Sequence, residues 1–335
     1  MNVLISCAGR RSDLVSYFRQ LPQVSQVHCC DMDIHAPSWE LADFGHLTPR
    51  FTDPAYVPRF RQICEKYRID LALTLNDFEL PILAANKAAL QALGTTVVVS
   101  DPRVIDICLD KLRTRQFFAE HGFDRAESFD QKDRIADSDF PLIVKPRFGT
   151  GSIGVEIANN ADELDIVLAY SKLQVSRSAI VRHFDGGDDL LIEKRVDGVE
   201  YAIDVINDLQ GRYRGCVVKR KLAKRGGDAA LVISEQEPRL EDWARRLSAQ
   251  LGHVGNLDCD VFMDDDHIYC VDLNPRFGGA YPFSHLAGIN LPELLVKWAS
   301  GDDPPVHLDA EPGVVVVRTE SYVRLENFRR ILHKD

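Results

Sequence analysis

The first hundred residues alternate between short apolar runs and helix-like segments, and this alternation constrains the fold more than any other feature of the sequence. The strand candidates are the apolar runs at residues 3–7, 27–30, 71–75 and 96–99. The helix candidates lie between them, at residues 13–19, 56–67 and 80–93. Strands that are apolar throughout and alternate with helices are typical of a parallel sheet covered on both faces. The sequence therefore predicts an α/β unit at the start of the chain.

After this unit the pattern changes to a series of strands with few helices between them. The strand candidates are residues 142–145, 153–157, 190–193, 201–206, 213–218, 256–263, 268–273 and, in the tail, 313–317. The helix candidates are residues 110–122, 240–251 and, in the tail, 322–332. Asp110 is suited to cap the first of these helices, and Gly122 is suited to end it in the left-handed conformation. This part of the chain is predicted to be α+β, with a dominant antiparallel sheet.

The composition limits the classes of function. With 335 residues and 45% hydrophobic content, the chain can bury a large core. The formal net charge of −11 argues against a nucleic-acid partner, because such partners are bound by concentrated Lys and Arg. No apolar run approaches the ~18 residues that span a bilayer, and the first residues pass directly into a strand candidate. We therefore expect a soluble, cytoplasmic protein that binds small molecules and contacts neither membrane nor nucleic acid.

Polar residues follow the strand candidates of the α/β unit. The first turn holds the single glycine Gly9, and without a GxGxxG spacing the pattern gives little support to dinucleotide binding. Asp77 and Glu79 follow the strand candidate at residues 71–75, at the carboxyl end of the sheet, where open α/β sheets bind ligands. They are candidates for contacts to a cationic amine. The alternative is that these acids only favour the dipole at the start of the next helix.

A glycine-rich stretch, KPRFGTGSIG at residues 145–154, comes directly after a buried strand candidate. Gly149, Gly151 and Gly154 permit positive φ angles and leave room for ligand oxygens to reach backbone N–H groups. Lys145 adds a positive charge beside them. The stretch differs from a Walker A loop, because its lysine precedes the glycines and the loop joins two strands. We interpret it as a flexible phosphate cover, although a glycine-rich hairpin turn would have the same appearance.

Two carboxylates and an amide are predicted to meet on a later hairpin. Asp272 and Asn274 are two apart on one strand candidate and share a face, and Asp260 lies on the preceding strand. Carboxylates this close would repel without a cation, and the set suits Mg²⁺ shared with phosphates. A solvated acidic hairpin is the alternative, but it explains residues 264–266 better than it explains three residues embedded in apolar strands.

Three further residues are candidates for contacts to a nucleotide. Glu193 and Glu200 flank a glycine turn in the stretch EKRVDGVEY, which offers backbone groups for an adenine edge and a carboxylate for ribose hydroxyls. Surface glutamates beside a hairpin are the alternative. Lys111 lies in the first turn of a predicted helix, where it opposes the helix dipole, so it either meets an anion there or is simply solvated.

Five stretches together resemble the ATP-grasp superfamily, and in particular its carbamoyl-phosphate-synthetase-like branch of carboxylate–amine ligases. In chain order they are AGRR, DK before a helix, KPRFGTGSIG, EKRVDGVEY and DLNPRFGG. The resemblance covers nearly the whole chain and implies an α/β + α+β protein. Its implied parts are a parallel-sheet pre-ATP-grasp domain at residues 1–105, a two-lobed ATP-grasp domain at 106–310 with a small nucleotide-covering lobe around 113–195, and a C-terminal strand and helix at 311–335.

The resemblance also implies roles for individual residues. Those that would bind ATP are Lys111, Lys145, Gly149, Gly151, Ser152, Gly154, Glu193, Lys194, Val196 and Glu200. Those that would bind Mg²⁺ are Asp260, Asp272 and Asn274. Those that would act on the transferred phosphoryl group are Arg276 and, as weaker candidates, Lys219 and Arg220. Relatives usually have Glu at the second metal position, where this chain has Asp272, which is one methylene shorter.

The implied activity is that of a ligase using ATP with Mg²⁺ or Mn²⁺. A small carboxylic acid would become an acyl phosphate, which an amine or thiol would capture with release of ADP and phosphate. A homodimer is an expected assembly. The large carbamoyl phosphate enzyme has two such units and this chain one, so we do not expect a complete enzyme of that kind. The main alternative is a nucleotide-binding partner or sensor that has lost turnover; a dehydrogenase is a distant third.

Overall fold

The N-terminal part of the chain forms a parallel sheet. The computed structural model describes residues 1–130, 135–149, 151–178, 184, 186, 189–304 and 308–325. The five strands are β1 Asn2–Ser6, β2 Gln26–Asp31, β3 Phe44–Leu47, β4 Leu71–Thr74 and β5 Thr96–Val98. The connecting helices are α1 Ser12–Arg19, α2 Tyr56–Lys66 and α3 Leu80–Gln91, with 3-10 turns at Pro37–Glu40 and Asp77–Glu79. The strand order is β3-β2-β1-β4-β5, and every pairing is parallel.

Both faces of this sheet are covered, because its strands are apolar on both sides. Val3 and Ile5 pack on the side of α1, while Leu4 packs on the side of α2 and α3. Side chains of successive strand residues point to opposite faces, so an uninterrupted apolar run requires cover on each. The carboxyl ends of β1 and β4 therefore remain as the exposed polar edge of the unit.

A small antiparallel sheet follows. Its strands are β6 Ser128–Phe129, β7 Leu142–Pro146, β8 Glu156–Ala158 and β9 Leu190–Lys194, in the order β6-β9-β7-β8. The helices of this part are α4 Pro102–Leu109, α5 Lys111–His121 and α6 Ala161–Arg177, with a 3-10 turn at Asp137–Asp139. Asp110 caps α5 by accepting a hydrogen bond from the backbone N–H of Leu112, and Gly122 ends it at a φ of +69°. The predicted cap and stop of this helix are thus confirmed.

The largest sheet is antiparallel and has six strands. They are β10 Val199–Asn207, β11 Tyr213–Arg225, β12 Asp228–Glu235, β13 Asn256–Met263, β14 Ile268–Asn274 and β15 Val315–Val317, in the order β14-β13-β10-β11-β12-β15. The associated helices are α7 Pro238–Leu251, α8 Tyr281–Leu286 and α9 Leu291–Ala299. No helix in the described part of the chain is long and apolar enough to cross a lipid bilayer.

The two faces of the six-stranded sheet differ in chemistry. One face, which includes Ile203, Leu257 and Cys259, is buried in a core with α5 and α7. The strand registers place the following charged and amide side chains on the other face: Glu200, Asp204, Lys219, Lys221, Asp258, Asp260, Asp272 and Asn274. An ordinary sheet face this polar would be solvated. Here it faces the small sheet and the N-terminal unit, which makes it the wall of a site.

The structure departs from the sequence-based expectations in several elements. Strands β3, β6 and β12 were not predicted, and neither were helices α4, α6, α8 and α9. The strand expected at residues 153–157 is shorter and begins at Glu156, because the glycine-rich loop extends further. The helix expected at residues 322–332 is not formed at 322–325, and the rest of it lies outside the described residues.

Asp110 joins helix α5 to the end of strand β7, and this connection can be tested. Its carboxylate caps α5 and also accepts hydrogen bonds from the Arg147 side chain at 2.9 and 2.6 Å. We expect Asp110→Ala to lower the free energy of unfolding by about 2–4 kcal/mol, because both the cap and the charged hydrogen bonds are lost. Asp110→Asn keeps a capping oxygen and should lose about half as much. Urea denaturation of the parent and the two variants measures both values. No loss for Asp110→Asn would mean that the ion pair contributes nothing, and equal losses for the two variants would mean that the capping oxygen contributes nothing.

Candidate active site

A cavity of about 260 Å³ lies between the small sheet and the six-stranded sheet. Its polar wall contains most of the residues predicted to bind ATP and metal, namely Lys111, Lys145, Gly149, Gly151, Ser152, Glu193, Lys194, Val196, Glu200, Asp260 and Asp272. Its apolar wall is formed by residues that include Ile143, Ile157, Phe262 and Val271. A flat apolar slot that opens onto a charged end has the dimensions and polarity of a small-molecule site.

Two lysines reach into this cavity and are held there by carboxylates. Lys145 at the end of β7 pairs with Glu193 of β9 at 2.7 Å, and Arg115 of α5 contacts the other Glu193 oxygen at 3.1 Å. Lys111, in the first turn of α5, pairs with Asp272 of β14 at 3.2 Å. Each lysine thus connects the small lobe or its helix to a carboxylate of the cavity wall. The charges are oriented before any ligand is bound.

The three predicted metal ligands lie together on the charged face. Asp260 of β13 is in register with Asp272 of β14, and the Asn274 amide donates to Asp272 at 3.2 Å. Burial raises the pKa of Asp260, an effect that Lys221 opposes. Burial alone would also raise the pKa of Asp272, but Lys111 and the hydrogen bond from Asn274 hold it below its ordinary value.

This donor set fits a hard divalent cation that is shared with another ligand. Two half-buried carboxylates in register repel each other unless positive charge lies between or beside them. Within the described residues, no group of three or more His, Cys, Asp and Glu side chains is arranged to hold a metal by itself. Mg²⁺ characteristically takes one or two carboxylates and completes its shell with phosphate oxygens and water. Asp260, Asp272 and Asn274 are sufficient for that kind of site.

Lys221 is a site residue that the sequence analysis missed. Its ammonium contacts Asp260 at 2.6 Å and Glu200 at 3.0 Å, and the side chain is almost fully buried. Burial alone would lower the pKa of Lys221, but the two carboxylates raise it above its ordinary value. Lys221 therefore links the predicted ribose glutamate to a predicted metal ligand. The alternation along KRK was the available signal, because Lys221 shares a strand face with Lys219.

The structure does not bring Lys219 and Arg220 into the cavity. Lys219 is on the charged face, but it is fully buried and bonds Asp204 and the Ser284 hydroxyl, the latter at 2.7 Å. Arg220 points to the opposite face, because consecutive strand residues alternate, and it pairs with Glu235 at 2.7 Å. Both catalytic assignments are corrected on this geometry: Lys219 neutralises a buried aspartate, and Arg220 lies outside the cleft.

The glycine-rich loop closes one side of the cavity. Gly151 and Gly154 have φ angles of +65° and +73°, in the region that favours glycine, and Ser152 between them has a φ of +58°. A Cβ on Gly154 would approach the Val175 side chain of α6 to 2.9 Å, so this glycine permits the close packing of the loop end and does not line the cavity. A Cβ on Gly227, at the β11–β12 hairpin tip, would lie 2.5 Å from the Ser152 hydroxyl. The loop and the hairpin tip thus meet across the cavity.

Arg276 and Asp77 form an ion pair between the six-stranded sheet and the N-terminal sheet. The guanidinium contacts Asp77 at 2.8 Å and Asp258 at 3.7 Å. Burial alone would lower the pKa of Arg276, but these two aspartates raise it above its ordinary value. One Asp77 oxygen and the Arg276 Nε are buried and have no hydrogen-bond partner among the described residues. Asp77 and Arg276 are therefore in direct contact, with one acceptor and one donor left for other groups.

Glu79 is placed elsewhere, and its substrate assignment is corrected. Its carboxylate is fully buried inside the N-terminal unit, where it accepts hydrogen bonds from Ser6 at 2.6 Å and from Thr74. Burial raises the pKa of Glu79 to about 7, although the hydrogen bonds from Ser6 and Cys7 oppose the shift. Glu79 lines neither the large cavity nor the ion pair at Arg276.

The parallel sheet, the two-lobed cleft and the paired carboxylates are the parts that the resemblance to ATP-grasp proteins implies. Residues 3–98 match the family model of the PylC-like N-terminal domain, and residues 187–322 match the model described as ATP-grasp in the biosynthetic pathway with Ter operon. The chain therefore carries a PylC-like N-terminal domain followed by an ATP-grasp domain. The resemblance found in the sequence is confirmed.

Named relatives point to the same branch. The carbamoyl phosphate synthase large chains of Rubrobacter xylanophilus and Helicobacter pylori strain J99 are each 25% identical to this chain, over 283 and 279 residues. The alignments cover 79% and 78% of this chain but only 26% and 25% of those proteins. This chain thus spans about a quarter of the length of these relatives.

Three solved structures share the fold. The biotin carboxylase domain of 2-oxoglutarate carboxylase from Hydrogenobacter thermophilus, in complex with MgADP, ADP and bicarbonate, has a TM-score of 0.71 at 16% identity and covers 94% of this chain and 73% of that one. N5-carboxyaminoimidazole synthetase from Staphylococcus aureus, complexed with ADP, has a TM-score of 0.68 at 15% identity, covering 91% and 78%. L-amino acid ligase from Bacillus licheniformis has a TM-score of 0.66 at 19% identity, covering 93% and 77%. The predicted fold class is confirmed.

Glu79 gives a prediction for the pH dependence of stability. Its pKa is about 7 in the folded chain and near its ordinary value of 4.5 when unfolded, so the folded state holds the proton over this interval. The parent should therefore lose stability as the pH rises from about 4.5 to about 7, by at most about 3 kcal/mol from this group. Glu79→Gln should remove that part of the pH dependence.

Urea unfolding at pH 5 and pH 8 measures this effect. The matched control is Glu65→Gln, which changes an exposed glutamate of α2. We expect the control to keep the parent's difference between the two pH values. If Glu79→Gln also keeps it, Glu79 is ionised in the folded protein and the assignment of its raised pKa is wrong.

Proposed function

We propose that this protein is an ATP- and Mg²⁺-dependent carboxylate–amine or carboxylate–thiol ligase that acts through an acyl phosphate. One observation carries the proposal: the cavity has two cationic lysines beside two half-buried carboxylates that lie in register. That combination suits a triphosphate with its metal, since the lysines match the phosphates and the carboxylates match the cation. The relatives support this choice, because the related fold occurs with MgADP in one carboxylase domain and with ADP in a synthetase.

In this proposal the adenine enters the apolar slot. Ile143, Ile157 and Val271 provide flat apolar contacts, and the backbone of Lys194 and Val196 lies at the slot's edge. Glu200 would accept hydrogen bonds from the ribose hydroxyls. Lys221 and Lys224 keep its carboxylate ionised, and the Lys224 ammonium lies 2.6 Å from a Glu200 oxygen. Lys111 and Lys145 would then turn from their carboxylates to the phosphates.

Asp260, Asp272 and Asn274 would hold Mg²⁺ in the proposed complex. Bound Mg²⁺ supplies positive charge that neutralises the phosphates during transfer. Asp272 stands where relatives usually have Glu; it keeps the negative charge, and before ATP binds it pairs with Lys111. Mn²⁺ takes the same oxygen ligands and would substitute for Mg²⁺.

The chemical steps need positioning and charge, and no side-chain nucleophile. An oxygen of the substrate carboxylate attacks the γ-phosphorus, the bond from that phosphorus to the β–γ bridging oxygen breaks, and ADP leaves. The bound ammonium first loses a proton to water, the free amine nitrogen attacks the acyl carbon, and the carbon–oxygen bond to phosphate breaks. The nitrogen then gives up a second proton, which the leaving phosphate takes up. Arg276 is suited to hold the transferred group and the acid, and Asp77 is suited to hold the ammonium form of the amine.

The wider organisation is part of the same proposal. We place the pre-ATP-grasp domain at residues 1–105, the ATP-grasp domain at 106–310 and a C-terminal segment at 311–335. A cytoplasmic location and a homodimer are proposed as well; the structure of the Hydrogenobacter thermophilus domain is described as a dimer, which supports the latter.

Acid-dependent release of ADP is the test of the proposed function. The chain is incubated with MgATP, hydroxylamine and single members of a panel of small carboxylic acids. At least one acid should stimulate ADP release and give a hydroxamate, because hydroxylamine traps an acyl phosphate.

Lys145→Ala should lower the rate by about 100-fold or more, since a charge contact to the transferring group is lost. Lys172→Ala, on the exposed side of α6, should leave it unchanged. MgATP binding without acid-stimulated turnover would instead indicate a nucleotide-binding protein.

Asp272 gives a prediction for metal dependence. Asp272→Asn keeps the shape of the side chain but removes a charge from the metal site, so the Mg²⁺ concentration for half-maximal activity should rise about tenfold or more. Asp265→Asn, in the exposed turn between β13 and β14, is the matched control and should titrate like the parent. Overlapping Mg²⁺ titrations of Asp272→Asn and the parent would contradict the metal assignment.

A further inference from the structure

A second, much smaller cavity lies beside the ion pair of Arg276 and Asp77. Its volume is about 10 Å³, which is room for about one water molecule. The apolar residues that line it are Phe78, Cys108, Leu109, Phe148 and Phe184. The polar residues that line it are Asp77, Asp272 and Asn274, with Gly149 of the glycine-rich loop. This cavity thus adjoins two of the proposed metal ligands, where the acyl phosphate would form.

The aromatic rings of this cavity come from three separate parts of the chain. Phe78 follows Asp77 in the N-terminal unit, and Phe148 precedes the glycines of the loop. The Phe148 and Phe184 rings are stacked with centroids 4.4 Å apart and planes within 1°, and Phe78 contacts Phe184 at 5.8 Å. Three aromatic side chains therefore line the same cavity as the Asp77 carboxylate.

That carboxylate has an unused oxygen. Asp77 binds Arg276 through one oxygen, while the other is buried and has no hydrogen-bond partner among the described residues. A buried acceptor without a donor costs free energy, and an ammonium group would supply the missing donors. Aromatic faces also attract cations, so the rings and the carboxylate favour the same kind of group.

We propose that this cavity is the amine subsite and that it selects a primary ammonium carried on an apolar or aromatic group. The inference rests on the proposed ligase function, in which the amine must reach an acyl phosphate beside Asp272. Among the lining residues, Phe78, Leu109, Phe148 and Phe184 offer no hydrogen bonds to a substituent of the amine. A hydroxyl or second charge on that substituent would lose its hydration without compensation.

The size of the cavity sharpens this inference. A volume of about one water cannot hold a substituted amine, so the stacked rings of Phe148 and Phe184 must separate to admit one. A planar apolar group between them would replace one ring contact with two. A group the size of ammonia fits the cavity without separating the rings and gains no ring contact. The subsite therefore gives bulky apolar amines ring contacts that ammonia-sized amines lack.

Binding of three simple probes tests the proposal. Phenethylamine carries both features, ethanolamine carries the ammonium with a polar substituent, and 2-phenylethanol carries the ring without the charge. Calorimetric titrations of the full chain, with and without saturating MgADP, should show phenethylamine binding at least about tenfold more tightly than either other probe. Equal affinities for phenethylamine and ethanolamine would overturn the subsite.

Paired variants locate the effect. Phe78→Leu should weaken phenethylamine binding several-fold and leave ethanolamine unchanged, whereas Phe51→Leu, which contacts Phe78 but does not line the cavity, should change neither. Asp77→Asn should weaken both amines and spare 2-phenylethanol. MgADP affinity reports that each variant is folded. If Phe51→Leu and Phe78→Leu lose phenethylamine affinity equally, the rings act only through packing and the proposal is wrong.

These outcomes separate the subsite from the proposed function. If the chain forms no hydroxamate with any acid but binds phenethylamine with the expected pattern, the ligase proposal fails and the amine site stands. If hydroxamate forms but the three probes bind alike, the ligase proposal stands and the amine selectivity fails.

Discussion

The ion pair between Arg276 and Asp77 fixes the relation between the N-terminal sheet and the six-stranded sheet. Both side chains are nearly buried, at 12% and 7% exposure, so losing either partner would leave an uncompensated charge in the interior. Asp77 follows β4 and Arg276 follows β14, which means that the pair joins the ends of two strands from different sheets. Asp272 and Asn274 lie on β14, four and two residues before Arg276. The same contact therefore holds these proposed metal ligands near the N-terminal sheet.

A balance of charge explains how so many ionised groups lie on one sheet face. Lys111 compensates Asp272, Lys145 compensates Glu193, and Lys221 compensates Asp260. In the proposed complex, phosphates would take over the lysines while the metal takes over the carboxylates. Binding would then exchange the lysine contacts of Asp260 and Asp272 for the metal, while Glu193 would keep its contact with Arg115. The cost of desolvating ATP in this cleft is offset by groups that are already desolvated and oriented.

The sequence predicted those features that depend on local pattern. Strand β13 has the predicted limits, 256–263, because it is a long run between clear turns, and α5 was predicted from its cap and its terminal glycine. Strand β3 was missed because Phe44–Leu47 is four residues long and contains glycine and histidine, which weaken a strand pattern. Lys221 was missed because its contacts with Glu200 and Asp260 depend on the register of β10 with β11 and β13, which are distant in sequence.

The side chains of Asp77 and Glu79 point in different directions because of the turn that contains them. Both lie in the 3-10 turn at Asp77–Glu79, where three residues make a full turn, so side chains two positions apart cannot point the same way. Asp77 points toward Arg276, and Glu79 points into the core beneath Ser6 and Thr74. A sequence argument that treats Asp77 and Glu79 as one acidic patch therefore expects two carboxylates at Arg276, where the structure has only Asp77. With a single carboxylate among three phenylalanines, any selectivity for the amine must come from the apolar walls as much as from charge.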